Sequence, residues 1–328
     1  MTLSSPLKLL WLLLVLGCVL LTAFLHKDVR AGAPPARAKL SASQVAQVVP
    51  IKLSNGQLAL VDAGGYAVVL RNYRKIASGT SLADDLLLAL AEPERIAMLT
   101  RYGREHKRDA HRYGDRPSFG GPTDLELLKR KGVDLLVINH LGAPAELARA
   151  REIGIEVFNL GEMRGLVTLL PNIAAVATLL GDPARGTRLA ESLVRRMRRV
   201  AADVPAQNRK RAIYVSAYGG QLFGGGLRSS YHDVLTAAGL IDAAAGKFSD
   251  FPRYEPEHLL LMDPEIVVTT PASVALFCRI SGLANMRACA HDGRGIVGID
   301  DALLGDPGLS MLEAAEELRE RVYGPTER

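Results

Sequence analysis

The sequence predicts an α/β protein with two similar lobes that are joined by a helical segment. Short apolar runs alternate with helical patterns between residues 51 and 164, and the alternation restarts after residue 204. Such alternation is typical of parallel sheets that are covered by helices on both faces. The residues between the two stretches carry only helical patterns. We therefore expect a first lobe over 51–164, a linking helical segment over 165–203 and a second lobe over 204–328.

The composition excludes several classes of protein. The chain has 328 residues, of which 48% are hydrophobic and 23% charged, so it is too apolar to be disordered as a whole. Only one apolar run approaches the length of a membrane span, which excludes a protein with many spans. The net charge of +5 is small and its signs are interspersed, which argues against a nucleic-acid-binding protein. Three cysteines are too few for a disulfide scaffold.

The N-terminus carries the pattern of an export segment. Leu9–Leu25 is an almost unbroken apolar run with a lysine on either side. We expect residues 1–33 to be a signal peptide or an uncleaved membrane anchor, followed by a linker over 34–50. The residues before Cys18 resemble a lipoprotein box, but the apolar run continues seven positions past Cys18, so lipidation is the less favoured alternative. The only tryptophan, Trp11, belongs to this segment.

Three short strands, 51–53, 58–62 and 66–70, are predicted to precede the first parallel sheet. Asn55-Gly56 and Gly64-Gly65 separate them and suit hairpin turns, because both dipeptides tolerate positive φ. A helix is expected from Ser81, where leucines recur every four residues. The remaining elements of this lobe are strands at 75–78, 95–99, 134–139 and 156–160, and helices that begin at Thr123 and Pro144.

Two helices, 165–180 and a second one that ends near Val200, form the predicted linking segment, and we expect the first of them to connect the lobes. The second lobe is then predicted to contain strands at 211–216, 265–270 and 295–299, and helices at 230–238, 257–261 and 310–323. A short internal echo supports two equivalent lobes. Glu126 and Glu257 each open a helix, and eight positions later an acidic residue opens a strand.

Motifs for catalysis or nucleotide binding are missing from the sequence. The glycine run 224–226 is not followed by a lysine, and there is no H-E-x-x-H, C-x-x-C or G-x-S-x-G. The seven histidines are scattered. We therefore predict no catalytic residue, no metal site and no intrinsic cofactor. Cys278 and Cys289 lie eleven residues apart, and they either form a disulfide or are two buried thiols.

Residues 101–119 are the most unusual stretch, with six basic residues, two histidines and three aromatic residues. Arginine attracts carboxylate or catecholate oxygens, and tyrosine can stack on a ligand or bind iron. The alternative is a solvated surface of mixed charge, because three acidic residues neutralise half of the basic charge. The candidate ligand-binding residues here are Tyr102, His106, Arg112 and Tyr113.

The corresponding loop of the second lobe is 217–230, with five glycines. Glycine lets backbone approach a ligand closely, and the loop also offers Tyr218, Phe223 and Arg228 for stacking and charge. The alternative is a flexible hairpin.

Several stretches resemble the helical-backbone class of substrate-binding proteins of ABC importers, which serves iron-siderophore, haem and vitamin B12 uptake. The stretch 123–137, TDLELLKRKGVDLLV, is similar to the first-lobe pattern of that family. The stretch 255–268 is similar to the second-lobe copy, with Asp263-Pro264-Glu265 near its usual D-P-D. Further resemblance lies in 62–78, 222–243 and 294–323, so that it spans roughly residues 55–325.

The resemblance implies two Rossmann-like lobes joined by a long helix, the class III periplasmic binding-protein fold. It implies a monomer outside the cytoplasm that performs no chemistry and holds its ligand between the lobes. Glu126 and Glu257 are then the residues that dock on arginines of the membrane permease. One exposed carboxylate per lobe can pair with arginine in this way, although a helix capping box explains the same residues.

The resemblance also ranks the candidate ligands. A ferric siderophore comes first, and haem second, with Tyr102, His106, His111 or Tyr113 as an axial ligand of the iron. Cobalamin fits poorly, because the family's cobalamin binders favour aromatic-rich clefts and the exported chain has no tryptophan. A different class stays open as well, an exported ligand-sensing domain with the same architecture.

Overall fold

A computed structural model describes residues 48–106, 110–119, 125–139 and 144–325, and these belong to one compact unit, Ala42–Arg328. The apolar run Leu9–Leu25, Cys18 and most of the linker 34–50 lie outside the described residues. Within the described part of the chain, no helix is both long enough and apolar enough to cross a membrane.

A small antiparallel sheet comes first, with strands β1 (Ile51–Lys52), β2 (Leu58–Val61) and β3 (Ala67–Val69). The two predicted turns are confirmed, because Gly56 and Gly65 adopt φ of 83° and 82°. The carboxylate of Asp62 closes the second turn by accepting hydrogen bonds from the backbone N–H groups of Gly64 and Tyr66, at 2.9 and 2.8 Å.

Lobe 1 contains a five-stranded sheet in the order β6-β5-β4-β7-β8, and every neighbouring pair is parallel. Its strands are β4 (Ile76–Ser78), β5 (Ile96–Thr100), β6 (Ser118–Phe119), β7 (Leu135–Ile138) and β8 (Glu156–Asn159). Its helices are α1 (Ser81–Leu90), α2 (Arg101–His106), α3 (Leu125–Arg130) and α4 (Pro144–Glu152). All four residues of β7 are buried, as expected for a strand covered on both faces.

Two helices follow lobe 1 and pack against each other, α5 (Leu166–Leu179) and α6 (Pro183–Ala202). Their approach is close, because a Cβ added to Gly186 would lie 2.5 Å from Cβ of Ala177. Asp182 caps α6 by accepting from the backbone N–H of Arg185 at 2.9 Å, and Pro183 fills the first helical position.

Lobe 2 contains a mixed sheet in the order β12-β10-β9-β13-β14, with β11 also beside β9. Its strands are β9 (Arg211–Tyr218), β10 (Gln221–Gly224), β11 (Ile241–Asp242), β12 (Arg253–Tyr254), β13 (Ile266–Thr269) and β14 (Ile296–Gly298). Strands β9, β11, β13 and β14 pair in parallel, whereas β10 and β12 are antiparallel to their neighbours. The helices are α7 (Ser230–Ala237), α8 (Pro256–Met262), α9 (Pro271–Phe277), α10 (Ala290–Gly293), α11 (Asp301–Leu304) and α12 (Met311–Tyr323).

The largest apolar core belongs to both lobes at once. It joins Leu86 of α1, Val176 of α5, Tyr214 of β9 and Leu318 of α12, each of them buried. Two smaller cores lie in lobe 2 and in lobe 1 alone. The helices that link the lobes therefore also fix one lobe against the other.

Candidate functional site

The carboxyl end of β5 presents the first candidate residue, Tyr102. In parallel sheets ligands bind beyond the carboxyl ends of the strands. Strand β5 ends at Thr100, and α2 begins at once with Arg101 and Tyr102. The side chain of Tyr102 is 57% exposed. The phenol ring of Tyr102 therefore lies exposed at the edge of the sheet where ligands of parallel sheets bind.

Tyr113, by contrast, is completely buried. Its hydroxyl donates a hydrogen bond to Oδ2 of Asp84 at 3.1 Å. This burial is incompatible with the prediction that Tyr113 contacts a ligand. The ring instead packs in the core and holds the end of the segment 101–113 against α1.

The basic residues of this segment divide into two groups. Arg104 donates to the carbonyl oxygens of Gly114 and Arg116, and Arg116 donates to those of Arg112 and Tyr113. These two guanidinium groups therefore hold the segment's own backbone. Arg101 and Arg112 are exposed. The side chain of His106 and residues 107–109 lie outside the described part of the chain.

Arg112 also lines a cavity of about 310 Å³ between α1, α6 and the start of α12. Both signs of charge meet there, with Asp85, Arg196, Glu313 and Glu316 also in its wall. Arg196 and Glu316 form an ion pair at 3.1 Å. The cavity lies where lobe 1, helix α6 and lobe 2 meet.

The predicted loop 217–230 of lobe 2 is largely a β-hairpin. Strand β9 extends to Tyr218, and Gly219-Gly220 turn the chain into β10 with φ of 58° and 77°. Two consecutive residues with positive φ are typical of the tight type I′ turn. Tyr218 at the turn is 81% exposed.

One face of this hairpin carries a row of aromatic side chains. The pairing places Phe223 between Ser216 of β9 and Arg253 of β12, and Tyr218 opposite Gln221. Residues that are directly paired across two strands project from the same face of a sheet, and so do alternate residues along one strand. The exposed Tyr218 and the 38% exposed Phe223 therefore stand on the face that continues inward to Tyr214.

The inner end of this row is a packed aromatic cluster. The rings of Tyr214 and Tyr231 stack with centroids 3.7 Å apart, and Phe251 meets Tyr231 edge-on at 6.0 Å. Phe251 is itself partly exposed. The aromatic surface thus runs from a stacked pair, of which Tyr214 is buried and Tyr231 partly buried, to the exposed tip of the hairpin.

The glycine run 224–226 serves packing inside the protein. A Cβ on Gly224 would lie 1.9 Å from the ring of Tyr254, and one on Gly226 would lie 2.4 Å from the carbonyl oxygen of Phe248. These glycines admit the protein's own side chains and backbone. The expectation that they bring backbone close to a ligand does not fit this packing.

Arg228 lies in a network of ion pairs that sequence reasoning missed. It pairs with Asp250 at 2.9 Å, and Asp250 also pairs with Arg164 at 2.9 Å. The hydrogen bond and charge of Arg228 lower the pKa of the Asp250 carboxyl. Because Arg164 lies two residues before the start of α5, the network joins the start of that helix to lobe 2.

A second contact at the same junction involves Asp233 of α7. Its Oδ2 accepts a hydrogen bond from the backbone N–H of Leu166, the first residue of α5, at 2.7 Å. Burial raises the pKa of Asp233 to about 6. The neighbouring His232 contacts Asp242 at 2.8 Å through Nδ1. Burial opposes the charging of His232, but the hydrogen bond and charge of Asp242 outweigh it and raise the pKa of His232.

Glu126 and Glu257 are both exposed, and each lies in the first turn of a short helix. Helix α8 is capped by its neighbours, since Glu255 and His258 form a reciprocal capping box. Glu257 therefore has no part in that cap. The threonine expected to cap the helix of Glu126, Thr123, lies outside the described residues.

Cys278 and Cys289 are joined by a disulfide, with Cα atoms 5.7 Å apart. It connects the end of α9 to the turn that precedes α10. Among the described residues, no group of three or more His, Cys, Asp or Glu side chains is arranged to hold a metal ion.

Solved structures of low sequence identity share the fold. A periplasmic haem-binding protein from Pseudomonas aeruginosa is 23% identical with a TM-score of 0.62, over 78% of this chain and 94% of that one. The haem-binding protein HutB of Vibrio cholerae is 19% identical with a TM-score of 0.63, over 76% and 98%. A possible iron-binding periplasmic protein from Staphylococcus epidermidis is 13% identical with a TM-score of 0.63, over 77% and 100%.

At the level of sequence, no curated protein matches the chain significantly. The family described as periplasmic binding protein matches residues 134–324. This segment covers more than half of the chain, including the end of lobe 1, the linking helices and nearly all of lobe 2. The chain therefore belongs to the periplasmic binding protein family, as a non-enzymatic, extracytoplasmic substrate-binding protein of the ABC importer type.

Proposed function

We propose that this protein captures an iron complex between its lobes, with haem as the first candidate, and delivers it to an ABC permease. The observation that carries the proposal is the exposed phenol of Tyr102 directly after the carboxyl end of β5. A tyrosine oxygen is an established axial ligand of haem iron. The exposed Arg101 and Arg112 of the same segment supply positive charge for the carboxylates of haem.

The aromatic face of lobe 2 supports a flat, largely apolar ligand. Tyr218 and Phe223 offer exposed rings, and Arg253 stands beside Phe223 on the same face. Aromatic rings stack favourably on a flat conjugated ligand. Two of the solved structures with this fold are named as haem-binding proteins, which also favours haem for this chain.

A ferric siderophore is the second candidate. The basic segment 101–119 favours it, because arginine pairs well with the carboxylate or catecholate oxygens of such ligands. The fold shared with a possible iron-binding protein is in keeping with this alternative.

Titration of the purified protein with haem, a ferric hydroxamate, a ferric catecholate and cobalamin separates these candidates. We expect haem to bind with a Kd below about 10 μM, roughly −7 kcal/mol, with a shifted Soret band. Tyr102→Phe should weaken haem at least about tenfold, by loss of the iron ligand. Tyr66→Phe is the matched control, since Tyr66 is a similarly exposed tyrosine in the turn between β2 and β3. Failure of all four ligands to bind below about 10 μM would contradict the proposal.

Docking through Glu126 and Glu257 is the second part of the proposal. Both carboxylates are exposed, and we expect them to pair with arginines of the permease. The double substitution Glu126→Arg and Glu257→Arg should abolish uptake and leave ligand affinity unchanged. The control is Glu94→Arg, which reverses another exposed glutamate. A loss of ligand affinity in the double variant would instead place these glutamates in the cleft.

The organisation of the whole chain completes the proposal. Residues 1–33 export the protein or anchor it, residues 34–50 form a linker, and the lobes span 51–164 and 204–328 on either side of 165–203. The exported protein acts as a monomer. N-terminal sequencing and the mass of the protein recovered from the cell envelope test the fate of residues 1–33.

A further inference from the structure

Asp84 is a buried carboxylate that contacts both ends of the segment carrying Tyr102. The residue lies in α1 and is fully shielded from solvent. Its Oδ1 accepts from the backbone N–H of Thr100 at 3.1 Å. Its Oδ2 accepts from the hydroxyl of Thr100 at 2.5 Å and from the hydroxyl of Tyr113 at 3.1 Å. One carboxylate thus holds the last residue of β5 and the far end of the segment.

The backbone around Tyr102 is held by the same group of atoms. The hydroxyl of Thr100 accepts a hydrogen bond from the N–H of Gly103 at 3.0 Å. A Cβ on Gly103 would lie 2.6 Å from Oδ2 of Asp84 and 2.1 Å from the hydroxyl of Tyr113, so only glycine fits there. Tyr102 lies between these two fixed residues, Thr100 and Gly103, with its own side chain exposed.

We propose that Asp84 is a positioning residue, which sets the place and orientation of Tyr102 for ligand binding through Thr100, Gly103 and Tyr113. The inference rests on the proposed function, in which Tyr102 contacts the bound iron complex. Asp84 itself touches no ligand. It acts by fixing the segment that presents the tyrosine.

The contact uses both oxygens of the Asp84 side chain as acceptors. Burial raises the pKa of Asp84, whereas the hydrogen bonds from Thr100, Ser78 and Tyr113 lower it. An asparagine in this place has only one accepting oxygen, and its amide group would face the hydroxyls of Thr100 and Tyr113. Asp84→Asn therefore keeps the volume of the side chain and removes part of the anchoring.

Lobe 2 contains a matched control, Asp233. It is the fourth residue after the N-cap Ser229 of α7, as Asp84 is the fourth after the N-cap Thr80 of α1. Asp84 is buried and Asp233 partly buried, and both carboxyl groups have a raised pKa. Asp233 binds the N–H of Leu166, however, and lies in the other lobe. Asp233→Asn perturbs a carboxylate at the same helix position without contact to the segment of Tyr102.

The test uses protein labelled with 3-fluorotyrosine, in which Tyr102→Phe assigns the fluorine resonance of Tyr102. Without ligand, Asp84→Asn should shift or broaden that resonance, and Asp233→Asn should leave it in place. In haem titrations, Asp84→Asn should lose about 10- to 100-fold in affinity, the range typical for residues that orient a metal ligand. Thr100→Val removes the hydroxyl while keeping the shape of the side chain and should act in the same direction.

The outcome that overturns the proposal is an unmoved Tyr102 resonance with wild-type haem affinity in both Asp84→Asn and Thr100→Val. Asp84 would then serve the core alone. An equal loss of affinity in Asp233→Asn would also overturn it, because the effect would then not be specific to the carboxylate that holds the segment of Tyr102. If wild-type protein binds no iron complex, the proposed function fails, and the Tyr102 resonance of the ligand-free protein still decides whether Asp84 positions it.

Discussion

Asp233 caps helix α5, which has no capping side chain of its own. Gly165 precedes α5 and has no side chain with which to bind the first free N–H groups of that helix. The carboxylate of Asp233 takes this role from another element, since it accepts from the N–H of Leu166. It stands beside His232, which itself pairs with Asp242. A single residue thus ties α7 to the start of the linking helix.

Residue pairs of this kind are hard to predict from sequence. Asp84 and Asp233 bind partners 16 and 67 residues away, and the sequence around each does not identify the partner. A signal existed in the repetition of Thr80-Ser81-x-x-Asp84 as Ser229-Ser230-x-x-Asp233. The sequence also does not show which tyrosine side chains are exposed. Tyr102 and Tyr113 lie in one basic stretch, and only the packing of Tyr113 against Asp84 separates an exposed tyrosine from a buried one.

The raised pKa of Asp233 predicts a stability that depends on pH. Its pKa is about 6 in the folded protein against an ordinary 3.8, because burial disfavours the charge. The folded state therefore holds this proton more strongly, and the free energy of unfolding falls as the pH rises from about 4 to about 6. Asp233→Asn still offers an oxygen to Leu166 and does not ionise. It should remove this fall and be more stable at pH 7 by at most about 3 kcal/mol.

Urea unfolding between pH 4 and pH 8 measures the effect, with Asp203→Asn as an exposed control near the end of α6. The charge of Asp233 contributes to the raised pKa of His232, so the protonation of His232 should be followed by NMR over the same pH range. A variant that is less stable than wild type at pH 7 would show that the ionised cap stabilises more than burial costs.

Secondary structure was the most predictable level of the fold. The predicted strands and helices are found with ends that differ by a residue or two, because apolar periodicity reflects burial directly. The elements that sequence reasoning missed have physical reasons. Strands β11 and β12 have two residues each, too few for any period. The hairpin partner β10 was concealed by the glycines at its two ends. Helix α9 was missed as well, although α8, which has the same length, was predicted.

Helix α5 offers a comparison between its two ends. Gly165 before its start and Gly181 after its end both have positive φ, at 134° and 87°. A Cβ on Gly181 meets nothing within 4 Å, whereas a Cβ on Gly165 would lie 2.4 Å from Asp233 Oδ2 and 2.9 Å from the backbone nitrogen of Ser230. A side chain at either position would strain the backbone, but only a side chain at Gly165 would also collide with lobe 2.

Gly181→Ala should therefore destabilise the protein by about 1 kcal/mol, through the unfavourable φ. Gly165→Ala should cost at least about 2 kcal/mol more, because it also displaces Asp233 from the helix start. Denaturant unfolding of the two variants measures the difference. Equal losses would show that the junction between α5 and α7 adapts to a methyl group, and that the Asp233 cap is not tightly placed.

At the scale of the whole molecule, the lobes are held by more than the linking helix. The pairs of Asp250 with Arg164 and Arg228 bind the start of α5 to lobe 2. A second contact is made by the backbone at Gly308 of lobe 2, which approaches Leu82 of α1 so closely that a Cβ would lie 2.7 Å from its Cδ2. The apolar core that both lobes share adds a third. Ligand binding should therefore move the lobes little relative to each other.

The shared core predicts that the two lobes unfold together. Leu86 of lobe 1 is buried in that core beside residues of lobe 2, so Leu86→Ala should destabilise the protein by about 3 kcal/mol. Because the core is common, hydrogen exchange of β13 in lobe 2 should lose as much protection as that of β7 in lobe 1. The reciprocal variant is Met262→Ala, since Met262 belongs to the core of lobe 2 alone. If the two lobes unfold together, this variant should also reduce the exchange protection of β7 and β13 equally. Loss of protection confined to the mutated lobe in either variant would mean that the lobes unfold independently, and that the shared core is too weak to make the molecule stiff.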